Sequence, residues 1–334
     1  MKKLIKVGII LLLFVCLLTI SSCKKTVDVE KNFPEIVAEI KSYKVTGKLE
    51  SLFPSGIKEC EVVVYYQSPN LFRVELKNAG NNEPQIMIKN NDGIYVLLPA
   101  VNKIFKINSS WPDNSSYPYI LQSLSKDIIG DDNLISTKDE NIETLEFNAK
   151  LFDNATITKQ KVTFNRKTGL PNEVLVYDDQ DTLITRFIYN SIDLDYNIDN
   201  NLFKVNETMT SARLSMAEDP FTFDRLISYP TYYPDGTSLE NENTSGIGDN
   251  RRVIMKYSGE TPFTVIEQYI TSTENTKTEY LSGYIYTMGG AICILSNNTI
   301  FFYDGGMEYH VASTTLNYPT MIQMGESLRT ANSK

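Results

Sequence analysis

Apolar positions along this chain recur mostly at every second residue, the spacing of strands with one wet face. Phe72-Arg73-Val74-Glu75-Leu76-Lys77 alternates strictly between apolar and charged side chains. Ile86–Lys89 and Ile94–Leu98 predict two further strands, with the turn residues Asn90-Asn91-Asp92-Gly93 between them. Lys103–Ile107, Glu143–Leu151, Ala155–Asn165, Glu173–Asp178 and Leu183–Asn190 continue the series, and Arg166–Pro171 joins two of them as a hairpin. Helical spacing interrupts the strands twice. Pro34–Tyr43 sets Ile36, Val37 and Ile40 on one face, and a second segment places Leu121, Leu124 and Ile128 at i, i+3 and i+7 before Gly130.

Asn206–Asp219 is polar and lacks alternation, which predicts a linker over 206–219 between one unit at 34–205 and a second at 220–334. In the second unit Phe221–Ile227 reads as a short helix and Thr237–Asn250 as a mobile acidic loop. Strands follow at Arg252–Tyr257, Phe263–Tyr269 and Tyr280–Tyr286, then at Ala291–Ser296 and Thr299–Tyr303 around an Asn297-Asn298 turn, then at Tyr309–Ala312. A closing helix, Pro319–Leu328, carries Met321, Met324 and Leu328 on one face. The expected fold class is α+β, mainly antiparallel β: a long meander with covering helices, followed by a smaller α+β domain.

The amino terminus has a different pattern. Lys2, Lys3 and Lys6 precede a nearly unbroken apolar run, Val7–Ile20, as in a secretory signal peptide over 1–22. The run is shorter than the ~20 apolar residues of a membrane-spanning helix. Ile20-Ser21-Ser22-Cys23 resembles the bacterial lipoprotein lipobox, which implies that Cys23 carries a diacylglycerol and becomes the mature amino terminus. An ordinary signal peptide followed by a chance cysteine is the alternative. Two or three acyl chains hold a protein on a bilayer without a spanning helix. The expected location is thus the extracytoplasmic face of the cell membrane, with 23–33 as a lipidated tether.

Charge and composition narrow the chemistry. The formal charge is −9, and removing the three signal lysines leaves about −12, which argues against nucleic acid and anionic headgroups as partners. With Cys16 in the signal and Cys23 modified, Cys60 and Cys293 remain, and buried thiols are expected in preference to a disulfide between them. His310 is the chain's only histidine, in a segment that reads as strand, so a histidine-based triad would have to use it. Asp131-Asp132 and Asp178-Asp179 are paired acids in turn-like contexts, without metal-ligand spacing. Two remote carboxylates would suffice for a glycosidase. The expectation is a non-enzymatic protein without metal or cofactor.

Tyr65–Arg73, Gln85-Ile86, Gly93–Pro99, Asn102–Lys106 and Trp111-Pro112 together resemble the outer-membrane lipoprotein carrier superfamily, the LolA/LolB-like fold. The likeness is to its Gram-positive branch of sporulation and germination lipoproteins, and covers about 34–205. Lys167–Pro171 and Phe187–Phe203 look like that family's closing hairpin and terminal phenylalanine. Tyr257–Leu328 is similar to a small domain of unknown function appended to such lipoproteins, and the two-part order looks like the sigma-factor regulator RseB. The resemblance implies an incomplete, curved antiparallel barrel with helices across its mouth. It also implies two roles: binding an envelope protein, with a cell-wall amidase as one candidate, or receiving an acyl chain or lipoprotein as ligand.

The candidates for the inner face are Phe72, Val74, Ile86, Ile88, Phe105 and Ile107, with Leu121 and Leu124 from the covering helix. They serve equally as an apolar pocket or as a closed core, and the closed core is preferred. Arg73 falls on the face opposite Phe72 and Val74. Trp111, Tyr232 and Tyr233 are candidate partner contacts. For Trp111 packing over the barrel end is the stronger alternative; for the Tyr229–Pro234 run surface contact is preferred, since its prolines keep it out of a central strand.

Overall fold

The computed structural model describes residues 28–53, 56–78, 83–150, 157–216, 227–246, 251–270 and 275–331. Two sheets organise them. The first is an open, curved sheet of twelve strands, the second a sheet of seven.

Six strands of the first sheet run as an uninterrupted antiparallel meander: β1 (Ser42–Phe53), β2 (Gly56–Gln67), β3 (Leu71–Asn78), β4 (Gln85–Asn90), β5 (Gly93–Leu98) and β6 (Lys103–Asn108). A second meander follows: β7 (Ile135–Lys138), β8 (Ile142–Lys150), β9 (Ile157–Asn165), β10 (Leu170–Tyr177) and β11 (Leu183–Leu194). The two join where β11 pairs with β1, so the sequence's first strand sits inside the sheet. The pairing register lines up two apolar rows on one face. One runs Val45, Val64, Val74, Met87, Val96, Phe105 across β1 to β6. The other runs Leu49, Phe187, Val174, Val162, Leu145 across β1 and β11 to β8. Gly47 lies on this face beside Phe187, and a Cβ there would collide with the Phe187 ring, so only glycine fits.

Helices α1 (Val29–Glu39) and α2 (Leu121–Gly130) pack against each other over these rows. α1 begins five residues before the predicted Pro34 and takes in 29–33, part of the expected tether. Val29, Phe33 and Val37 fall at i, i+4 and i+8 and are buried, and that stripe outweighs the helix hydrogen bond lost at Pro34. Glu143 on β8, fully buried, accepts the Val29 N–H at 3.1 Å and the Ser136 hydroxyl at 3.0 Å, with Lys138 3.4 Å away. The expected signal peptide, 1–22, and the expected lipidation site, Cys23, lie outside the described residues.

The stretch expected to be a linker, 206–219, is helical where described: α3 spans Val205–Ser215. It covers the opposite face of the first sheet, setting Met209 and Ala212 on Ile86, Ile88, Leu97 and Ile104.

The seven-stranded sheet has the order β12 (Thr237–Ser245), β13 (Arg252–Gly259), β14 (Phe263–Tyr269), β19 (Met307–Ala312), β18 (Thr299–Asp304), β17 (Ala291–Ser296), β16 (Tyr284–Met288). Its turn at Asn297-Asn298 has both residues at positive φ, as a two-residue hairpin needs. The closing helix, α4 (Tyr318–Ala331), buries Met321, Met324 and Leu328 on this sheet as its pattern foretold. Two expectations are corrected. Thr237–Ser245 is an edge strand rather than a mobile loop, held by its backbone ladder to β13. Tyr280–Tyr286 is not one strand: β15 (Lys277–Ser282) pairs in parallel with β6 in the first sheet, and only after Gly283 does β16 enter the second. A Cβ at Gly283 would run into the Leu295 carbonyl, so the handover needs glycine. The helix expected at Phe221–Ile227 lies outside the described residues except for Ile227, which is not helical.

The sheets share a core. Ile285, Ile292, Ile294, Phe301 and Tyr303 belong to the same buried cluster as the first sheet's apolar rows. Cys293, Leu295, Ile300 and Phe302, on the alternate positions, face α4. Gln85 bridges the seam, donating to the Tyr303 carbonyl at 2.9 Å and accepting the Ile292 N–H at 2.8 Å. Tyr117 donates to the Ile285 carbonyl at 2.6 Å, and Lys103 pairs with Glu308 at 2.9 Å.

Candidate functional site

The inner-face candidates separate into two groups. Phe72, Val74, Phe105, Ile107, Leu121 and Leu124 all join one continuous buried cluster with Trp111, Tyr117 and Tyr119. Phe72 meets Trp111 edge-on at 6.0 Å between centroids, Trp111 meets Tyr117 in the same way, and Tyr117 touches Tyr119 at 5.8 Å. Rings thus fill the space between sheet and helix. Ile86 and Ile88 are a correction: they point to the other face, beneath α3. Cross-strand register decides this, because Met87 aligns with Val74 and Val96 and takes the inward position.

Arg73 lies on that same outer face, as its alternation predicted. It donates to the Leu202 carbonyl at 3.3 Å and the Thr208 hydroxyl at 2.8 Å, and pairs with Glu75 at 2.9 Å. Its role is to fasten α3 to the sheet.

Trp111 is corrected as a contact residue: it is 0 % exposed and cannot touch a partner without unfolding its loop. Tyr232 and Tyr233 are 45 % and 37 % exposed, on the surface as expected. Tyr233 leans on Tyr257 and Phe263, with centroids 5.3 and 6.1 Å away, leaving one ring face to solvent.

A polar cleft of about 340 Å³ between the end of α2 and β8 was not foreseen. Asn114, Ser116, Lys126, Asp127, Asn148 and Lys150 line it. Burial pushes the Asp127 carboxyl up to about 6, against the Ser116 hydroxyl and the Lys126 ammonium. Lys126 is turned toward the Asp113 and Ser115 carbonyls at 3.0 and 3.3 Å. Asp131 is the second acid in the lining, but both its carboxylate oxygens accept backbone N–H groups, of Asn133 at 2.9 Å and Asn148 at 2.6 Å, so the two acids form a hydrogen-bonding recess rather than a catalytic pair. The only sequence signal for it was the Asn114-Ser115-Ser116 cluster inside the aromatic loop.

Asp131 and Asp178 cap local turns: Asp131 accepts the Asn133 and Asn148 N–H groups, Asp178 those of Gln180 and Thr182. His310 is a strand residue, 2.9 Å from Glu308. Cys60 and Cys293 are buried thiols. Among the described residues no three His, Cys, Asp or Glu side chains converge as metal ligands, and no helix is long and apolar enough to cross a membrane.

Comparison with known proteins agrees with the sporulation branch that the motifs suggested. The chain is 28 % identical over 338 residues to the sporulation protein YdcC of Bacillus subtilis (strain 168), covering all of both chains. Among solved structures it is similar to the MucA/MucB complex of Pseudomonas aeruginosa, with TM-score 0.32 and 12 % identity over 90 % of this chain and 97 % of that one. It is also similar to the LolA superfamily protein NE2245 of Nitrosomonas europaea, with TM-score 0.31 and 12 % identity over 54 % of this chain and 99 % of that one. The model of the YdcC-like sporulation proteins matches residues 2–203, and the chain belongs to that family.

Proposed function

We propose that this protein is a lipid-anchored, extracytoplasmic and non-enzymatic component of sporulating cells that binds and positions an envelope protein, with a cell-wall amidase as one candidate. The observation that carries this reading is the filled inner face. Phe72, Trp111, Tyr117, Leu121 and Leu124 are each at most 3 % exposed and pack into one cluster where an acyl-chain carrier needs room. Recognition then falls to outward surfaces, of which the exposed tyrosines Tyr229, Tyr232 and Tyr233 are the most aromatic. Anchoring rests on the lipobox-like sequence ending at Cys23.

The test is photo-crosslinking of the full-length protein in sporulating cells, followed by identification of protein and lipid adducts. A discrete envelope protein is expected. Acyl chains recovered without any protein would reverse the reading in favour of a lipid receptor. Metabolic palmitate labelling should mark the parent chain and spare Cys23→Ala; an unlabelled parent would remove the anchor.

A further inference from the structure

β12 is the outer edge of the seven-stranded sheet, and eight of its nine residues are exposed. Among the described residues it pairs only with β13, which leaves alternate backbone N–H and C=O groups along its other side without a strand partner there. The register makes the edge unusual. Leu239, Glu242 and Thr244 stand opposite Tyr257, Met255 and Val253, three residues buried in the core beneath α4. Residues directly opposite in an antiparallel pair share a face. The core-facing side of β12 therefore continues past the hydrophobic core as an open shoulder.

Aromatic side chains border that shoulder. Leu239 is 41 % exposed, and Tyr229 donates its hydroxyl to Glu242 at 2.6 Å. Tyr233 packs on Tyr257, the cross-strand neighbour of Leu239. The charge is of one sign: residues 229–246 hold Asp235, Glu240 and Glu242 and no lysine or arginine. The exposed cations of β13, Arg252 and Lys256, alternate onto the opposite face.

We propose that β12 accepts an extended, basic segment of the partner protein by strand addition, the segment's apolar side chains resting on Leu239 and the neighbouring tyrosines. The proposal rests on the partner-binding reading above and says where and by what chemistry binding occurs. A second copy of this chain is a poor occupant, because antiparallel self-pairing would bring the glutamates of one β12 against those of the other. An anionic membrane is repelled by the same charges. Lysines or arginines of the segment would meet Glu242 on the core-facing side and Glu240 at the register shift between Leu239 and Asn241, while the open ladder supplies sequence-independent hydrogen bonds.

The test uses the full-length protein and a ten-residue peptide alternating lysine and valine, with binding read by fluorescence anisotropy. An otherwise identical peptide with glutamate for lysine is the control. The lysine peptide should bind at least tenfold more tightly, and the Glu240→Lys/Glu242→Lys protein should lose that preference. N-methylation separates strand addition from simple charge attraction. Methyls on backbone nitrogens of one parity should weaken binding at least tenfold, and methyls on the other parity should leave it unchanged. No binding of the lysine peptide, equal binding of the glutamate peptide, or equal loss for both parities would overturn the proposal. All peptide comparisons can be made on the unaltered protein, so folding of the variant does not decide them. In cells, a partner crosslink that survives Glu240→Lys/Glu242→Lys would overturn the edge while leaving partner binding in place.

Discussion

Replacing Trp111 by alanine tests whether the mouth of the first sheet is structural or adhesive. The indole is fully buried and meets Phe72 and Tyr117 edge-on at 6.0 Å each. Truncating a buried tryptophan to alanine removes its transfer free energy and leaves a cavity, together about 4 kcal/mol. The loss also unseats the Phe72 and Tyr117 rings, so little of it is recovered by relaxation. Urea unfolding followed by far-ultraviolet circular dichroism should show it. With a slope of about 3 kcal/mol per molar, the midpoint should fall by about 1.3 M. Trp111→Phe keeps a ring in place and should lose no more than about half as much. Trp111 is also the chain's only tryptophan, so the parent's native emission should be blue-shifted and shielded from iodide. A midpoint unchanged within about 0.2 M, together with iodide-quenchable emission, would refute the closed mouth, because exposed side chains rarely contribute more than ~0.5 kcal/mol.

Three further outcomes follow from the geometry. Gln85→Ala strands the Tyr303 carbonyl and the Ile292 N–H at the seam and should destabilise by about 2–4 kcal/mol; calorimetry should show one transition shifted as a whole, and a separate early transition of the seven-stranded sheet would contradict the shared core. Gly283→Ala drives a methyl into the Leu295 carbonyl, so hydrogen exchange should rise first in β15 and β16; unchanged protection there would refute the tight handover. Asp127 titrates near 6 when folded because it is buried, above its unfolded value near 4. The folded state then holds the proton more tightly, so the stabilisation from this group is complete below about 4 and is lost as pH rises through about 6. The Tm of Asp127→Asn relative to the parent should therefore climb between pH 4 and pH 7, and a flat difference would show that the carboxyl is not desolvated.

Alternation carried most of the first sheet. Strands such as β3, whose Phe72, Val74 and Leu76 face in while Glu75 and Lys77 face out, follow directly from their spelling. Three kinds of element escaped it. β12 has both faces wet, so nothing in its side chains marks it as a strand, and β15, almost as exposed, is legible only over Tyr280–Ser282; the ladder to a neighbour defines both. β4 is apolar at Ile86, Met87 and Ile88 alike, and which parity faces inward is settled by its neighbours' register rather than by itself. α1 starts inside a charged stretch where Val29 and Phe33 are isolated apolar residues, and only their burial under β8 and β9 reveals the stripe. The same limit held at the candidate site. Trp111 and Tyr232 sit in similar proline-containing loops, and no local signal tells the buried ring from the exposed one.

The depth at which Val29 is fastened has a consequence for reach. Under the acylation proposed for Cys23, only five residues separate the lipid from a backbone nitrogen locked to Glu143. Six Cα-to-Cα steps at ~3.5 Å extend to about 20 Å at most. The leash is thus too short for the molecule to tumble freely above the bilayer. On that proposal the corner formed by the start of α1 with β7 and β8 rides next to the headgroups, and the orientation of the whole body over the lipid is set from that corner.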